Sequence, residues 1–348
     1  MKCSFSATLS ALALSTTFIA TMLLAQQATA ETRPVTVQNF IHAESDLYFS
    51  RIVKLGGFGQ MYHFRALTPI DQQSVVAMNR DTLYSGGVFD LDAGPVSITL
   101  PDSDGRFMSL QVISEDHYTP LTGYAPGSFT ITREMLGTRY AMLAVRTLAD
   151  ANSAADIAAA NALQDKIVTQ QNAKGSFQIP QWDPVSQSKI RNALVELRSL
   201  EANTLTDRAG PRGQVDPISH LIATASGWGL NPLKDAYYTS VTPEKNDGKT
   251  VFRLTVKDVP VDGFWSISVY NAKRYFEKNA LDSYSINNLT ATLNADGSFT
   301  VQFGGCSAES VNCLVTPPGW NYAVRMYRPR KAIIDGSWVF PAAMPVQP

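Results

Sequence analysis

From Val75 to Arg146 the chain is a succession of short apolar alternations separated by turn residues, and this rhythm constrains the fold more than any other feature. Strands are expected at Ser74–Asn79, Leu83–Leu91, Val96–Leu100, Arg106–Ile113, Ser128–Thr132 and Ala141–Arg146. Ala93-Gly94-Pro95, Asp102-Ser103-Asp104-Gly105 and Ala125-Pro126-Gly127 punctuate them. Strands this short at this spacing suit a β-sandwich rather than alternating βα units.

The flanks change period. Apolar residues from Val37 to Leu55 recur as on a helix that Gly56-Gly57 closes. After Arg146 a helical stretch opens at a capping box, Ser153 to Asp156, carries Ile157, Ala160, Leu163 and Ile167 on one stripe, and stops at Gly175. Asp183-Pro184 and Asp216-Pro217 start two more helices, with proline in the first turn. Sheet returns from Tyr237, with strands expected at Val251–Val256, Phe264–Tyr270, Ala291–Leu293, Phe299–Phe303 and Tyr322–Tyr327. Asn294-Ala295-Asp296-Gly297 signals a hairpin, and Ser337–Pro341 reads as a last edge strand.

Residues 1–30 read as a signal peptide: Lys2, an apolar stretch from Leu9 to Leu24, then Ala28-Thr29-Ala30 as the cleavage pattern. A retained N-terminal anchor is the alternative. Removing 30 of the 348 residues leaves 318, ample for a large core. The net charge of −1, with no basic stripe, disfavours nucleic acid. No later apolar run is long enough to span a bilayer. A periplasmic or secreted location is expected. There, Cys306 and Cys313 read as a local disulfide, with two free thiols as the alternative; no His or Cys neighbours complete a zinc site.

Charge set among sheet-forming residues must be paired, exposed or in use. Asn79-Arg80-Asp81-Thr82-Leu83-Tyr84 concentrates such chemistry. If extended, it would point Asn79 and Asp81 one way and Arg80 and Tyr84 the other. Turn-making is the competing reading for Asn79 and Asp81. Ala323, Arg325 and Tyr327 share a strand face; Arg325 would suit a carboxylate or sulfate, or else pair with a buried Asp. Tyr270 falls on the side of Ser266 and Ser268, away from Trp265, Ile267 and Val269. Glu115-Asp116-His117 is the best titratable cluster, readable as acid–base chemistry or as a solvated loop. His42 and Asp46, four apart, read as a surface ion pair rather than metal ligands, and His220 as a structural histidine. No metal site and no cofactor are expected. Lipase-elbow, Walker, dinucleotide and zincin motifs are missing.

Asn79 to Ser85, with Pro101-Asp102-Ser103-Asp104-Gly105-Arg106-Phe107 and Gln111, resembles the first of two paired bacterial domains of unknown function, DUF1254. Phe264 to Tyr270, Asp296-Gly297-Ser298, Trp320-Asn321, Tyr327-Arg328-Pro329 and Asp335-Gly336-Ser337-Trp338 resemble the second, DUF1214. Arg80 departs from the Pro-Asn-Val-Asp-Thr of many relatives. The resemblance implies an α+β, mainly β chain: an N-terminal helix and immunoglobulin-like sandwich, a helical middle, and a C-terminal jelly-roll-like sandwich. The expected organisation is a signal peptide at 1–30, the first β domain at 31–150, a helical connection at 151–235 and the second β domain at 236–348.

Two functions are expected to compete. The first is an exported protein binding a small polar or anionic ligand between its β-domains through Asn79, Arg80, Asp81, Tyr84, Tyr270, Arg325 and Tyr327. The second is a cofactor-independent hydrolase or lyase with Asp81 and His117 as acid–base candidates. A small molecule is the expected partner, with no nucleic acid, no membrane span after cleavage, and room for a homo-oligomer.

Overall fold

The computed structural model describes residues 1, 32–73, 75–201 and 208–347. The expected signal peptide lies, Met1 apart, outside the described residues. The chain is mainly β, with two sandwich-like units and helices between and around them.

Helix α1 (Phe40–Lys54) comes first, then β1 (Tyr62–His63), β2 (Thr82–Asp90), β3 (Val96–Leu100), β4 (Met108–Ser114), β5 (Leu121–Tyr124), β6 (Gly127–Ile131), α2 (Arg133–Leu136) and β7 (Tyr140–Leu148). Next are α3 (Ala154–Gln164), β8 (Val168–Gln171), α4 (Pro184–Leu197) and α5 (Pro217–Ser226). The second β unit holds β9 (Ala236–Val241), β10 (Phe252–Val256), β11 (Trp265–Tyr270), β12 (Ser285–Asn287), β13 (Phe299–Phe303), β14 (Cys313–Leu314) and β15 (Asn321–Tyr327). Short α6 (Lys331–Ile334) and β16 (Met344–Pro345) close it.

In the first unit a sheet ordered β1-β2-β7-β4-β5 faces a sheet ordered β6-β3-β8. Leu110, Val112, Leu143 and Val145 of one interdigitate with Val96, Ile98, Leu100 and Ile131 of the other. The outer face of the larger sheet is covered as well: Phe49 of α1 packs on Val88, Ile113 and Met142. β7 is therefore buried on both faces, which explains why Tyr140–Val145 is nearly continuous apolar sequence. Phe40 and Ala43 of α1 also meet Leu194 of α4 and Ile222 of α5. These helices start at the expected caps: Val185 and Ser186 backbone N–H groups donate to Asp183, and Ser219 N–H to Asp216.

In the second unit β12-β11-β15-β9 stacks on β14-β13-β10-β16, around Trp265, Ile267, Val324, Met326, Val301, Phe303 and Trp320. Val324 and Met326 enter this core, so Ala323, Arg325 and Tyr327 face the other way, as the alternation requires. The Cys306–Cys313 disulfide forms beside β14. Phe264 and Tyr327 join Leu148 and Phe107 across the junction between the units. Burial of a phenylalanine such as Phe264 contributes roughly 2–3 kcal/mol.

Several expected elements differ. Among the described residues 75–79 is not strand: Ala77 is left-handed (φ 49°), and Asp81 N–H donates to the Asn79 side chain, so the chain turns. The helix through Ile167 ends at Gln164, because Val168–Gln171 pairs with β3. Neither Ala291–Leu293 nor Ser337–Pro341 is strand; the C-terminal edge is Met344–Pro345 on β10. Among the described residues no helix is long and apolar enough to cross a membrane.

Candidate functional site

A cavity of about 790 Å³ opens where β2 and β7 of the first unit, β9 and β15 of the second, and the 223–231 segment of the helical region meet. That volume suits a small organic molecule. Its described lining contains five arginines, Arg146, Arg198, Arg208, Arg274 and Arg325, and no carboxylate. Tyr84, Tyr238 and Tyr327 add phenols, and Tyr48 stacks on Trp228 at 4.4 Å between ring centroids.

Strand register sets this chemistry. Tyr84 on β2 pairs with Arg146 on β7, and the guanidinium lies 5.5 Å from the phenol ring centroid. Arg325 on β15 pairs with Tyr238 on β9. Asn79 joins the two units: its Nδ2 lies within hydrogen-bond reach of Tyr84 Oη (3.2 Å), Tyr327 Oη (3.4 Å) and Thr82 Oγ1 (3.1 Å). Arg146 donates through Nη1 to Gln111 Oε1 (2.9 Å) and Asn231 Oδ1 (3.2 Å), while Asn231 Nδ2 donates to Tyr238 Oη (2.8 Å). The helical region is thereby tied to both sheets. Arg325 donates to Ser268 Oγ (2.9 Å), Tyr270 Oη (2.7 Å) and Ala77 O (2.6 Å).

Burial raises the Tyr84 phenol, but the Arg146 charge and hydrogen bonds from Asn79 and other neighbours outweigh it, leaving Tyr84 below the usual phenol value. Tyr327, more affected by burial and by neighbouring Tyr238 and Tyr84, is held well above it. Both arginines stay charged. Burial opposes the charge of Arg325, and Tyr270, Tyr327 and Asp81 more than restore it. For Arg146, Tyr84, Tyr238 and Tyr327 do the same.

Of the residues expected from sequence, Asn79, Tyr84, Arg325 and Tyr327 line this cavity together. Asn79 and Tyr84, expected on opposite faces, meet because the chain turns at 79–81 before β2 begins. Tyr270 lies behind the wall, where its hydroxyl donates to Met78 O (2.8 Å) and receives from Arg325. Asp81 is buried outside the lining, near Asn287 Nδ2 (3.4 Å), and burial raises its pKa. Arg80 points elsewhere, to Thr68 O (2.6 Å) and the Tyr284 ring.

His117 does not join them. Its Nε2 accepts from Gly229 N–H (2.8 Å), so Nδ1 carries the proton toward Thr224 Oγ1 (2.8 Å), whose own hydrogen goes to His220 O. The ring is sandwiched between His220 and Trp228, and burial and the His220 neighbour lower its pKa to about 3. Both nitrogens are taken, and neither Asp81 nor His117 lines the cavity. The expected acid–base pair therefore has no shared cleft. Glu115 and Asp116 are not a solvated loop: Glu115 is buried and accepts from Tyr140 N–H.

Arg146, Asn231 and Tyr238 were missed. Arg146 had the signal already applied to Arg325, a lone charge in an apolar strand. Asn231 had none, since only the tertiary fold brings the 229–231 loop to the strands.

Residues 58–133 match DUF1254 and residues 235–331 match DUF1214, each described as a protein of unknown function. No curated protein matches the chain. Among solved structures, the VPA0106 protein of Vibrio parahaemolyticus is 18% identical, with a TM-score of 0.65 over 89% of this chain and 98% of that one. A Burkholderia cenocepacia protein is 14% identical, with a TM-score of 0.46 over 84% of this chain and 85% of that one. The first shares the fold.

Proposed function

We propose that this chain, which carries a DUF1254 and a DUF1214 domain together, binds a small organic anion in the cavity between its β units and works outside the cytoplasm. One observation carries the binding reading: five arginines and no carboxylate in the described lining, of which Arg198 and Arg208 pair with Glu201 outside it and Arg146, Arg274 and Arg325 have no salt bridge among the described residues. Three of the five are buried, and two of these, Arg146 and Arg325, come from different β units. A guanidinium presents a planar fork of donors suited to carboxylate or sulfate, and a partly dry site strengthens the attraction. The phenols of Tyr84, Tyr238 and Tyr327 add donors, and the Tyr48–Trp228 stack offers an apolar wall to an aromatic or aliphatic body. The extracytoplasmic reading rests on the signal-like N-terminus and the Cys306–Cys313 disulfide.

Calorimetry with a panel of aliphatic, aromatic and sugar acids tests the binding. A hit should weaken by roughly 10- to 100-fold in Arg325→Ala, the loss of a charge-assisted hydrogen bond. A panel without a hit, or a hit indifferent to both Arg325→Ala and Arg146→Ala, would sink the reading. Fractionation with N-terminal sequencing tests location, with Glu31 expected as the first residue of the mature chain.

The lyase reading keeps one specific support, and it moves the chemistry from Asp81 and His117 to Tyr84. The Tyr84 phenolate, favoured by the adjacent Arg146 guanidinium, can take a proton from an anionic substrate and become the phenol. Slow conversion of a bound acid, followed by NMR and abolished in Tyr84→Phe with binding retained, would favour it.

A further inference from the structure

We propose that His42, Asp46 and Glu115 form a site for one divalent transition-metal ion of the Zn²⁺ or Mn²⁺ class, apart from the arginine-lined cavity. Helix α1 sets His42 and Asp46 one turn apart, and Glu115 directly follows β4. One donor atom from each residue lies within 4.8 Å of the others. A single cation at roughly 2.0–2.6 Å from each can span that triangle.

Each ligand is also held by a neighbour. His42 Nδ1 lies 3.1 Å from Asp116 Oδ1, Trp182 Nε1–H donates to Asp46 Oδ2 (2.7 Å), and Tyr140 N–H donates to Glu115 Oε2 (2.9 Å). His42 Nε2 lies 3.4 Å from Glu115 Oε1 and 4.0 Å from Asp46 Oδ2, and the tautomer that donates Nδ1–H to Asp116 would leave it free to bind a cation. A carboxylate holding the far nitrogen of a metal-binding histidine is the recurring outer support of such sites.

His42 lies within 4.0 Å of all three carboxylates, but these ion pairs leave one buried oxygen unmatched. The Asp46 side chain is 0% exposed and that of Glu115 6%, so this is no surface pair. Asp46 Oδ1 has no hydrogen-bond partner among the described residues. A buried carboxylate oxygen left unpaired is costly, and a cation removes the cost. Three carboxylates, of Asp46, Glu115 and Asp116, face one imidazole and the Arg212 guanidinium, which donates to Asp116 Oδ2 (2.5 Å). One imidazole nitrogen with two carboxylates suits Zn²⁺ or Mn²⁺ better than soft ions, which prefer sulfur, or Ca²⁺ and Mg²⁺, which prefer oxygen alone. His42 and Asp116 are each about one-third exposed, which leaves a path for entry.

The test strips the mature chain with EDTA and titrates it calorimetrically with Zn²⁺ and, separately, Mn²⁺. One equivalent of at least one ion should bind, with a dissociation constant in the micromolar range or below. Asp46→Asn and Glu115→Gln should each weaken it roughly 100-fold or more, and Asp116→Asn by about 10- to 100-fold. Glu134→Gln, an exposed carboxylate elsewhere, should change nothing. Co²⁺ added to the unaltered protein should give visible d–d absorption bands that Zn²⁺ erases, a readout that depends on no variant folding. Failure of both ions to bind by about 1 mM, absence of the Co²⁺ bands, or unchanged affinity in folded Asp46→Asn overturns the site. Each result is independent of organic-acid binding.

Discussion

Arg146 and Arg325 show how differently one residue type can be held. Arg325 is anchored by two hydroxyls and a loop carbonyl, all from its own unit or the 77–78 turn. Arg146 instead bridges to Gln111 and to Asn231 of the helical region. Arg146→Lys keeps the charge and loses the fork, so it should cost roughly 1–2 kcal/mol of ligand affinity, about 5- to 30-fold by calorimetry. Tyr84 would give the proposed binding a pH dependence of defined sign. Its phenol titrates below the usual 10.0, and deprotonation would put a negative charge beside the proposed anion. Affinity should therefore fall as pH rises toward 10, and Tyr84→Phe should remove that decline. A decline that persists unchanged in Tyr84→Phe would assign it to another group.

At the scale of elements, the β2–β7 pair is the frame, because it carries Tyr84 and Arg146 at its cavity end and an ion pair at the other. There Arg139 Nη2 donates to Asp90 Oδ2 (2.7 Å), and Ser176 N–H donates to the same oxygen (3.1 Å). Burial raises the Asp90 carboxyl, but Arg139 and the backbone N–H groups of Ser176 and Asp92 outweigh it and hold its pKa below the usual 3.8. A lowered carboxyl contributes stability that is present above its unfolded value and lost as pH falls through its folded value. Asp90→Asn should thus lower the melting temperature near neutral pH, by roughly 1–3 kcal/mol in stability, and flatten the acid limb below about pH 4. Equal acid sensitivity in both proteins would refute the assignment.

At the scale of the whole molecule, the cavity exists because two sandwiches and a helical region converge. A ligand there contacts both β units and should stabilise them together. At 100 times its dissociation constant it should add about 2.7 kcal/mol, read as a rise in melting temperature with a single transition. Asn79→Ala, which removes the amide between Tyr84 and Tyr327, should reduce that gain by loosening the junction. Two transitions, with only one shifted by ligand, would show that the site belongs to a single unit.

Much of this was legible in the residues alone. Strands β2, β3, β4, β6 and β7, the caps Asp183 and Asp216, the cysteine pair and the shared face of Ala323, Arg325 and Tyr327 follow from local rules: alternation of side chains, backbone donors at helix starts, and proline's fixed geometry. What only tertiary structure decided was which of these groups meet. Asn79 reaches Tyr84 because the chain turns before β2, His117 is locked behind Trp228, and Asp81 is sealed near Asn287. His42 and Glu115, seventy-three positions apart, come within 3.4 Å through the packing of α1 on the sheet. Local preference is written in neighbours along the chain, whereas a site is made by groups distant in sequence, and their encounter depends on packing that no single segment encodes.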